Sequence, residues 1–211
     1  MSNQTFIEFI KEKEPSFIIS ECHLPVIDKL TAVFNGDISR LLINLPPRHS
    51  STTLVNLFAD YYKQYYAKAK ITLGSRHQEL AANFSKNKGF STAIGFGKLP
   101  NEMQDLIIVD TPQAFWESNT QEAHTWIAEL RDCVFSDGTI IVVTSRIDKY
   151  DVSSKLISEG GWEIVAVPAM KANGDPNFPE FWSKAALDKM KFEIPEESWN
   201  AEWQQFEISK D

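Results

Sequence analysis

The chain has little cysteine and lacks the long apolar runs of a membrane protein. Its 211 residues include only Cys22 and Cys133, which fit neither a CxxC motif nor zinc-ligand spacing, so we expect reduced thiols rather than a disulfide framework. No apolar run approaches the roughly 20 residues of a membrane span. The first residues, MSNQTFIEFIKEKE, show no basic start followed by an apolar stretch, so no signal peptide is expected. Together these features predict a cytoplasmic protein without membrane contact.

Positive charge is also scarce, with 21 Lys and Arg against 29 Asp and Glu and a net charge of -8. This balance argues against a generic nucleic-acid coat protein. The charge is uneven, however: residues 61–98 carry seven basic residues and one acid, whereas residues 151–211 carry twelve acids and six bases. A basic middle could hold a phosphate backbone. A solvated helix face is the alternative interpretation.

Apolar runs alternate with amphipathic stretches along the chain. This alternation predicts an α/β fold with a mostly parallel sheet and helices on both faces. Strands are predicted around Leu42, Ile71, Ile107, Ile141 and Ile164, and residues 137–138 are predicted to form a turn. Helices are predicted at residues 5–13, 23–34, 52–67, 77–86, 120–135, 152–158, 183–191 and 195–206. The expected organisation is one domain over residues 1–169 with a helical appendage over residues 170–211.

The loop after the first strand is the first candidate site. Strand, polar loop and helix are the context of a phosphate-binding loop, in which backbone amides hold the anion. The loop contains Pro47, Arg48, His49, Ser50, Ser51, Thr52 and Thr53. It departs from G-x-x-x-x-G-K-[ST] at both glycines and at the lysine, and it keeps only the final Thr52. The alternative is a Ser/Thr cap of an ordinary helix.

Three other segments are predicted to end at the same edge of the sheet. Asp110 follows an apolar strand, the position of a Walker B aspartate that holds Mg²⁺; a turn-capping Asp is the alternative. Thr144, Ser145 and Arg146 follow another strand and could sense a γ-phosphate, or form a solvated strand exit. Cys22 and His23 begin a helix, where a lone His is more often a helix-start residue than a ligand.

Taken in order, these segments resemble the ATPase domain of tailed-phage large terminase subunits, the motors that pump DNA into procapsids. The resemblance spans nearly the whole chain and has its most specific points in PPRH, DLIIVD and the WNAxxQQ ending. The matching segments are FIISECHLPVIDKL, LLINLPPRHSST, GSRHQELAANFSK, DLIIVDTP, IIVVTSRID, GGWEIVAVPAMKANGDPNFPEFW and SWNAEWQQF. The resemblance implies a P-loop NTPase-like fold of the ASCE type.

The departures from this family affect its catalytic groups. The family's Walker A lysine falls on Ser51, its flexible glycine on Ser50 and its second acid on Thr111. About fifty residues that the family usually carries before the Walker B strand are reduced to residues 87–104. The sequence ends where the family's nuclease domain would begin, so no nuclease activity is expected.

The resemblance implies a nucleotide site for ATP and Mg²⁺. Catalytic roles would fall to Asp110, Arg48 and Arg146, and Mg²⁺ would be held by Thr52 and Asp110. Nucleotide binding would involve residues 47–53 together with His23 and Thr144. Arg48 is the one possible replacement for the missing lysine.

Two functions remain open: a packaging ATPase with weak or lost hydrolysis, or a non-catalytic module that binds DNA or packaging partners. The implied partners are double-stranded DNA, a portal, a small terminase subunit and a homo-oligomeric ring in the host cytoplasm.

Overall fold

The computed structural model of the protein describes residues 4–76, 79, 81–82, 89–111 and 120–205. Its strands are β1 (Arg40–Asn44), β2 (Ile71–Ser75), β3 (Thr92–Gly95), β4 (Gln104–Asp110), β5 (Val134–Thr144) and β6 (Glu163–Ala166). The described helices before β6 are α1 (Phe6–Lys13), α2 (Leu24–Phe34), α3 (Ser51–Tyr65), α4 (Thr120–Arg131) and α5 (Val152–Glu159). A 3-10 turn, Glu21–His23, precedes α2, and α6 (Lys184–Glu193) and α7 (Glu196–Ser198) lead into a π turn, Trp199–Trp203.

The six strands form one sheet in the order β3-β2-β4-β5-β1-β6, and every pairing is parallel. This arrangement confirms the predicted α/β fold, with all five predicted strands present. β5 lies between β1, which leads into the phosphate-loop candidate, and β4, which ends at Asp110. Because the strands are parallel, their carboxyl ends meet at one edge of the sheet, where α/β proteins bind ligands.

The sheet is covered on both faces, as its continuous apolar strands predict. Leu41 and Ile43 face a core formed with α1, α2 and α3. Leu42 between them faces a second core formed with α4 and α5. This alternation follows the two-residue period of a strand. No helix among the described residues is long and apolar enough to cross a membrane.

Two local predictions are wrong near the start of β5. The helix predicted over residues 120–135 ends at Arg131, and the turn predicted at Asp137–Gly138 lies within the eleven-residue strand β5. The reason is a bulge: Gln104 pairs with Val134, but Leu106 pairs with Thr139. A Cβ at Gly138 would lie 2.9 Å from the Gln104 carbonyl oxygen, so this close approach requires glycine.

β3 is an edge strand that the sequence did not predict, and the helix predicted over residues 77–86 lies largely outside the described residues. The tail helices are present, with α6 at Lys184–Glu193 and the last one shortened to α7 plus the π turn. We call residues 168–205 the C-terminal segment. It has a small core of its own, formed by Ala169, Met170, Leu187, Trp199 and Trp203.

Candidate nucleotide site

The carboxyl ends of three central strands bring polar residues together. Asn44 ends β1 and pairs in register with Thr144, the last residue of β5. Asp110 ends β4 and pairs with Val143, one position earlier on β5. Thus the phosphate-loop candidate and Asp110 lie at the same edge of the sheet, separated by one strand.

The loop between β1 and α3 has a backbone conformation that is more typical of glycine than of other residues. Arg48 and Ser50 both have φ of 60°, in the left-handed region that few non-glycine residues adopt. Ser50 stands at the N-cap of α3, yet its side chain makes no capping hydrogen bond. The first intrahelical bond of this turn is Leu54 N to Ser50 O, at 2.9 Å. The amides of Ser51, Thr52 and Thr53 therefore lack a helical acceptor and stay available to an anion.

Asp110 is 5% exposed at the end of β4. Burial raises the pKa of its carboxyl above the usual range, and hydrogen bonding from the hydroxyls of Thr52 and Thr111 opposes that rise. The Thr111 hydroxyl donates to Asp110 Oδ1 at 3.2 Å. The interaction with Thr52 shows that the first turn of α3 and the end of β4 face each other. Thr111 itself is left-handed, with φ of 53°.

His23 and His49 are both fully buried and support the loop from inside. The Ser20 amide donates to His23 Nδ1 at 3.0 Å, which leaves the proton on Nε2, and Nε2 donates to the His49 carbonyl at 3.2 Å. His49 Nδ1 donates to the Pro47 carbonyl at 3.0 Å. Burial lowers the pKa of His23 and lowers that of His49 to about 4. Both rings are thus neutral near pH 7, and the described contacts of His23 are structural.

Arg146 is buried and committed to neighbours in its own loop and in α5. Its Nε donates to Asp151 Oδ2 at 2.9 Å and its Nη2 to the Ser154 hydroxyl at 2.6 Å. Its backbone amide donates to Gln205 Oε1 at 3.1 Å. These contacts explain how the chain leaves β5 and enters α5. They give the guanidinium a structural partner, so we do not assign it to a nucleotide.

Arg48 differs from Arg146 in being exposed. Within the described part of the chain it forms no ion pair, so its guanidinium is available to an anion at the loop.

The other predicted site residues differ in burial: Pro47 is half-buried, Thr53 is exposed and Thr144 is buried. Of the predicted site residues, those of positions 47–53 belong to one loop and the first turn of α3, and Asp110 and Thr144 end strands at the same edge of the sheet. No group of three or more His, Cys, Asp or Glu side chains converges among the described residues.

Asn44 was not singled out from the sequence, although it connects the elements around the loop. Its Nδ2 donates to the Thr144 carbonyl at 3.1 Å and to the Ser153 hydroxyl at 2.8 Å. Ser145 adds a bond from its hydroxyl to the Leu45 carbonyl, at 2.6 Å. The one available signal was a polar residue at the end of the apolar run RLLIN.

The basic middle of the chain is partly neutralised. Lys70 pairs with Glu102 at 2.6 Å, and the Lys63 ammonium donates to the Ala69 carbonyl. Lys68 and Lys98 are exposed. Lys86 and Lys88 lie outside the described residues. The described lysines thus offer less free charge than the sequence count suggests.

Comparison with known proteins gives a match in fold only. No family model matches the chain, and no curated protein matches it in sequence. Among solved structures, the crystal structure of the HK97 bacteriophage large terminase is similar with a TM-score of 0.60 at 12% sequence identity. The match covers 95% of this chain and 55% of that protein, so the chain spans about half the length of the terminase.

Proposed function

We propose that the chain is a terminase-like module of viral DNA packaging that binds ATP at the loop between β1 and α3 and hydrolyses it very slowly or not at all. One observation supports this most: the uncapped first turn of α3 faces the buried carboxyl of Asp110. The left-handed, uncapped Ser50 leaves the first amides of α3 to an anion, and the buried carboxylate faces the same turn.

The anion would lie on the amides of Ser51, Thr52 and Thr53. Those donors belong to the backbone and do not depend on the missing glycine or lysine. The left-handed conformation at Ser50 preserves the turn that a glycine would make in such a loop. Arg48, exposed beside it, can supply the positive charge that Ser51 lacks.

The residues present also fit Mg²⁺. Magnesium is commonly held through one or two carboxylates together with substrate phosphates and waters. Thr52 and Asp110 provide a hydroxyl and a carboxylate, and burial raises the pKa of Asp110 in a way that a cation would offset. Bound Mg²⁺ would neutralise phosphate charge at this edge.

Slow turnover follows from two side chains. Ser51 carries no charge to stabilise the transferred phosphoryl group, and the loss of such a contact commonly reduces the rate by about 10²–10³-fold. Thr111 cannot orient water as a carboxylate would, and its hydroxyl already donates to Asp110. The non-catalytic module is therefore the limiting case of the same proposal.

The packaging context rests on the fold match and on the sequence resemblance. Double-stranded DNA, a portal, a small terminase subunit and a ring of identical chains are partners within this proposal. So is the division into an ATPase-like domain of residues 1–169 and an appendage of residues 170–211.

A phosphate-release assay with and without restoring substitutions tests the catalytic part. Wild-type turnover should be far below about 1 s⁻¹, the lower end of the ordinary enzyme range. The double change Ser51→Lys plus Thr111→Glu should raise turnover more than either single change, because such groups act as a unit.

Wild-type turnover near about 1 s⁻¹ would contradict the expectation of slow hydrolysis. Arg48→Ala would then identify the source of the charge. Loss of turnover would assign it to Arg48, and survival would assign it to a residue from a neighbouring subunit.

A further inference from the structure

His49 occupies an unusual place for a loop residue. It is fully buried between two left-handed residues, Arg48 and Ser50. Such conformations cost about 1–3 kcal/mol each and persist only where the surroundings enforce them. The surroundings of His49 therefore decide whether the amides that follow it are presented.

Two hydrogen bonds fix the backbone around His49. The His49 Nδ1 donates to the Pro47 carbonyl within the loop. The His23 Nε2 donates to the His49 carbonyl. The His23 ring is held in turn by the Ser20 amide. These bonds fix the peptide groups on either side of the residue but leave the face of its ring to other contacts.

Aromatic rings from the C-terminal segment contact the His49 ring. The ring centroid of Phe178 lies 5.9 Å away, that of Trp182 lies 6.4 Å away in a stacked arrangement, and that of Trp203 lies 6.3 Å away edge-on. Trp182 and Trp203 also contact each other, at 5.3 Å. The burial that lowers the pKa of His49 to about 4 keeps this ring neutral, as an apolar cluster requires.

The same segment is bonded to other parts of the site. Gln205 accepts from the Arg146 amide at 3.1 Å, beyond the end of β5. Asn177 accepts from the Cys22 amide at 3.3 Å, and Glu180 accepts from the Ser20 hydroxyl at 2.7 Å. The C-terminal segment thus contacts both sides of the phosphate-loop candidate and the residues that orient His23.

We infer that His49 is a positioning residue through which the C-terminal segment holds the loop in the conformation that presents the amides of Ser51–Thr53. Anion binding at the loop and docking of residues 168–205 are then linked, and each strengthens the other. The linkage to anion binding rests on the proposed nucleotide site. The positioning of the loop by the segment does not.

Substitutions at His49 separate the two kinds of contact. In His49→Asn the amide can still donate to Pro47 O, but the ring contacts are lost. In His49→Phe the ring contacts remain and the bond to Pro47 O is lost. His124→Asn is the matched control, because His124 lies on α4 at the other face of the sheet and pairs with Glu159 at 3.5 Å.

Hydrogen exchange in the protein without ligand is the first measurement. Amides of residues 48–54 and 168–205 should exchange about tenfold faster or more in His49→Asn. In His49→Phe, which keeps the ring contacts, the amides of residues 168–205 should exchange at the wild-type rate. In His124→Asn the amides of both segments should do so. Unchanged exchange in a folded His49→Asn, or equal acceleration in His49→Phe, would overturn the inference whether or not any anion binds.

Titration with inorganic phosphate and with AMP-PNP plus Mg²⁺ is the second measurement. His49→Asn and Trp182→Ala should weaken binding about tenfold, within the usual range of coupling between linked sites, and AMP-PNP should slow exchange in residues 168–205. Wild-type affinity in both variants would overturn the linkage while the proposed function stands. Absence of binding to the wild type would instead contradict the proposed function and the linkage, and the exchange data alone would then decide the positioning role.

Discussion

Helices α3 and α5 begin in opposite ways at the same edge of the sheet. α5 begins with Asp151 in an extended conformation, and its carboxylate accepts from the Ser154 amide at 2.8 Å. α3 begins with Ser50 in the left-handed conformation, without a side-chain cap. α1 and α6 follow the pattern of α5, with caps from Thr5 and Ser183. A serine was present to cap α3, but the backbone does not use it.

The start of α5 is therefore structural, whereas the start of α3 leaves its first backbone amides without a side-chain partner. The Asp151 carboxylate accepts from the Ser154 amide and from the Arg146 guanidinium, so side chains of the protein itself occupy the start of α5. The amides of α3 have no such partner, and the strain at Arg48 and Ser50 is supported by buried neighbours instead. Strain that persists because its surroundings enforce it is typical of functional sites.

The largest effect is expected at the start of α5, which Asp151 caps. Asp151→Ala should lower the free energy of unfolding by about 3–5 kcal/mol, because it leaves Arg146 buried without its partner; the two side chains are 1% and 4% exposed. Urea unfolding measures the loss. Asp148→Ala, at an exposed carboxylate three residues earlier, is the control and should cost less than about 1 kcal/mol. A loss below that control would mean that α5 does not depend on its cap.

The second-largest effect is expected from acid, which should lower the free energy of unfolding by protonating His49 in the loop before α3. His49 binds a proton near pH 4 when folded and near its ordinary pKa of 6.5 when unfolded. The unfolded state therefore holds more protons between these values, and stability falls as the pH falls from about 6.5 to about 4, by on the order of 3 kcal/mol from this residue.

Urea unfolding between pH 4 and pH 7 in wild type and His49→Phe tests this. His23 also titrates with a lowered pKa, so the difference between the two proteins isolates His49. The variant should show the shallower slope. Equal slopes would place the His49 ring in a hydrated environment, against the account given of the loop.

The smallest effect compares one substitution at two helix starts. Ser50→Gly should stabilise the protein by about 0.5–1 kcal/mol, because glycine adopts the left-handed region without the penalty that serine carries. Ser183→Gly should destabilise it by a few tenths of a kcal/mol, because it removes the bond to the Ala186 amide. Thermal unfolding of both variants measures the two signs. If Ser50→Gly also destabilised the protein, Ser50 would be an ordinary helix cap.

Most of the sheet was predictable because its strands carry continuous apolar runs. β3 was missed because it is a short edge strand in which only Ile94 and Gly95 are buried. The end of α4 was misplaced because Val134 reads as part of a helical stripe, whereas its pairing with Gln104 assigns it to β5. That pairing joins residues thirty positions apart and has no local signal.

The candidate site was predictable in its position more than in its contacts. Asp110 and Thr52 follow from strand ends and from the resemblance to terminases. The role of Arg146 depends on Asp151, whose burial the local sequence does not reveal. The burial of His49 depends on Phe178, Trp182 and Trp203, more than a hundred residues away. Contacts of that separation are set by tertiary packing, which no motif in the loop encodes.

Calorimetric titration with AMP-PNP and Mg²⁺ tests most directly whether the start of α3 is an open anion site. We expect one nucleotide per chain, with binding weakened at least tenfold in Thr52→Val, which removes the hydroxyl facing Asp110. Thr53→Val, the same substitution at the exposed neighbouring position, should bind as the wild type does. Absence of binding to the wild type, or equal affinities in the two variants, would contradict this account.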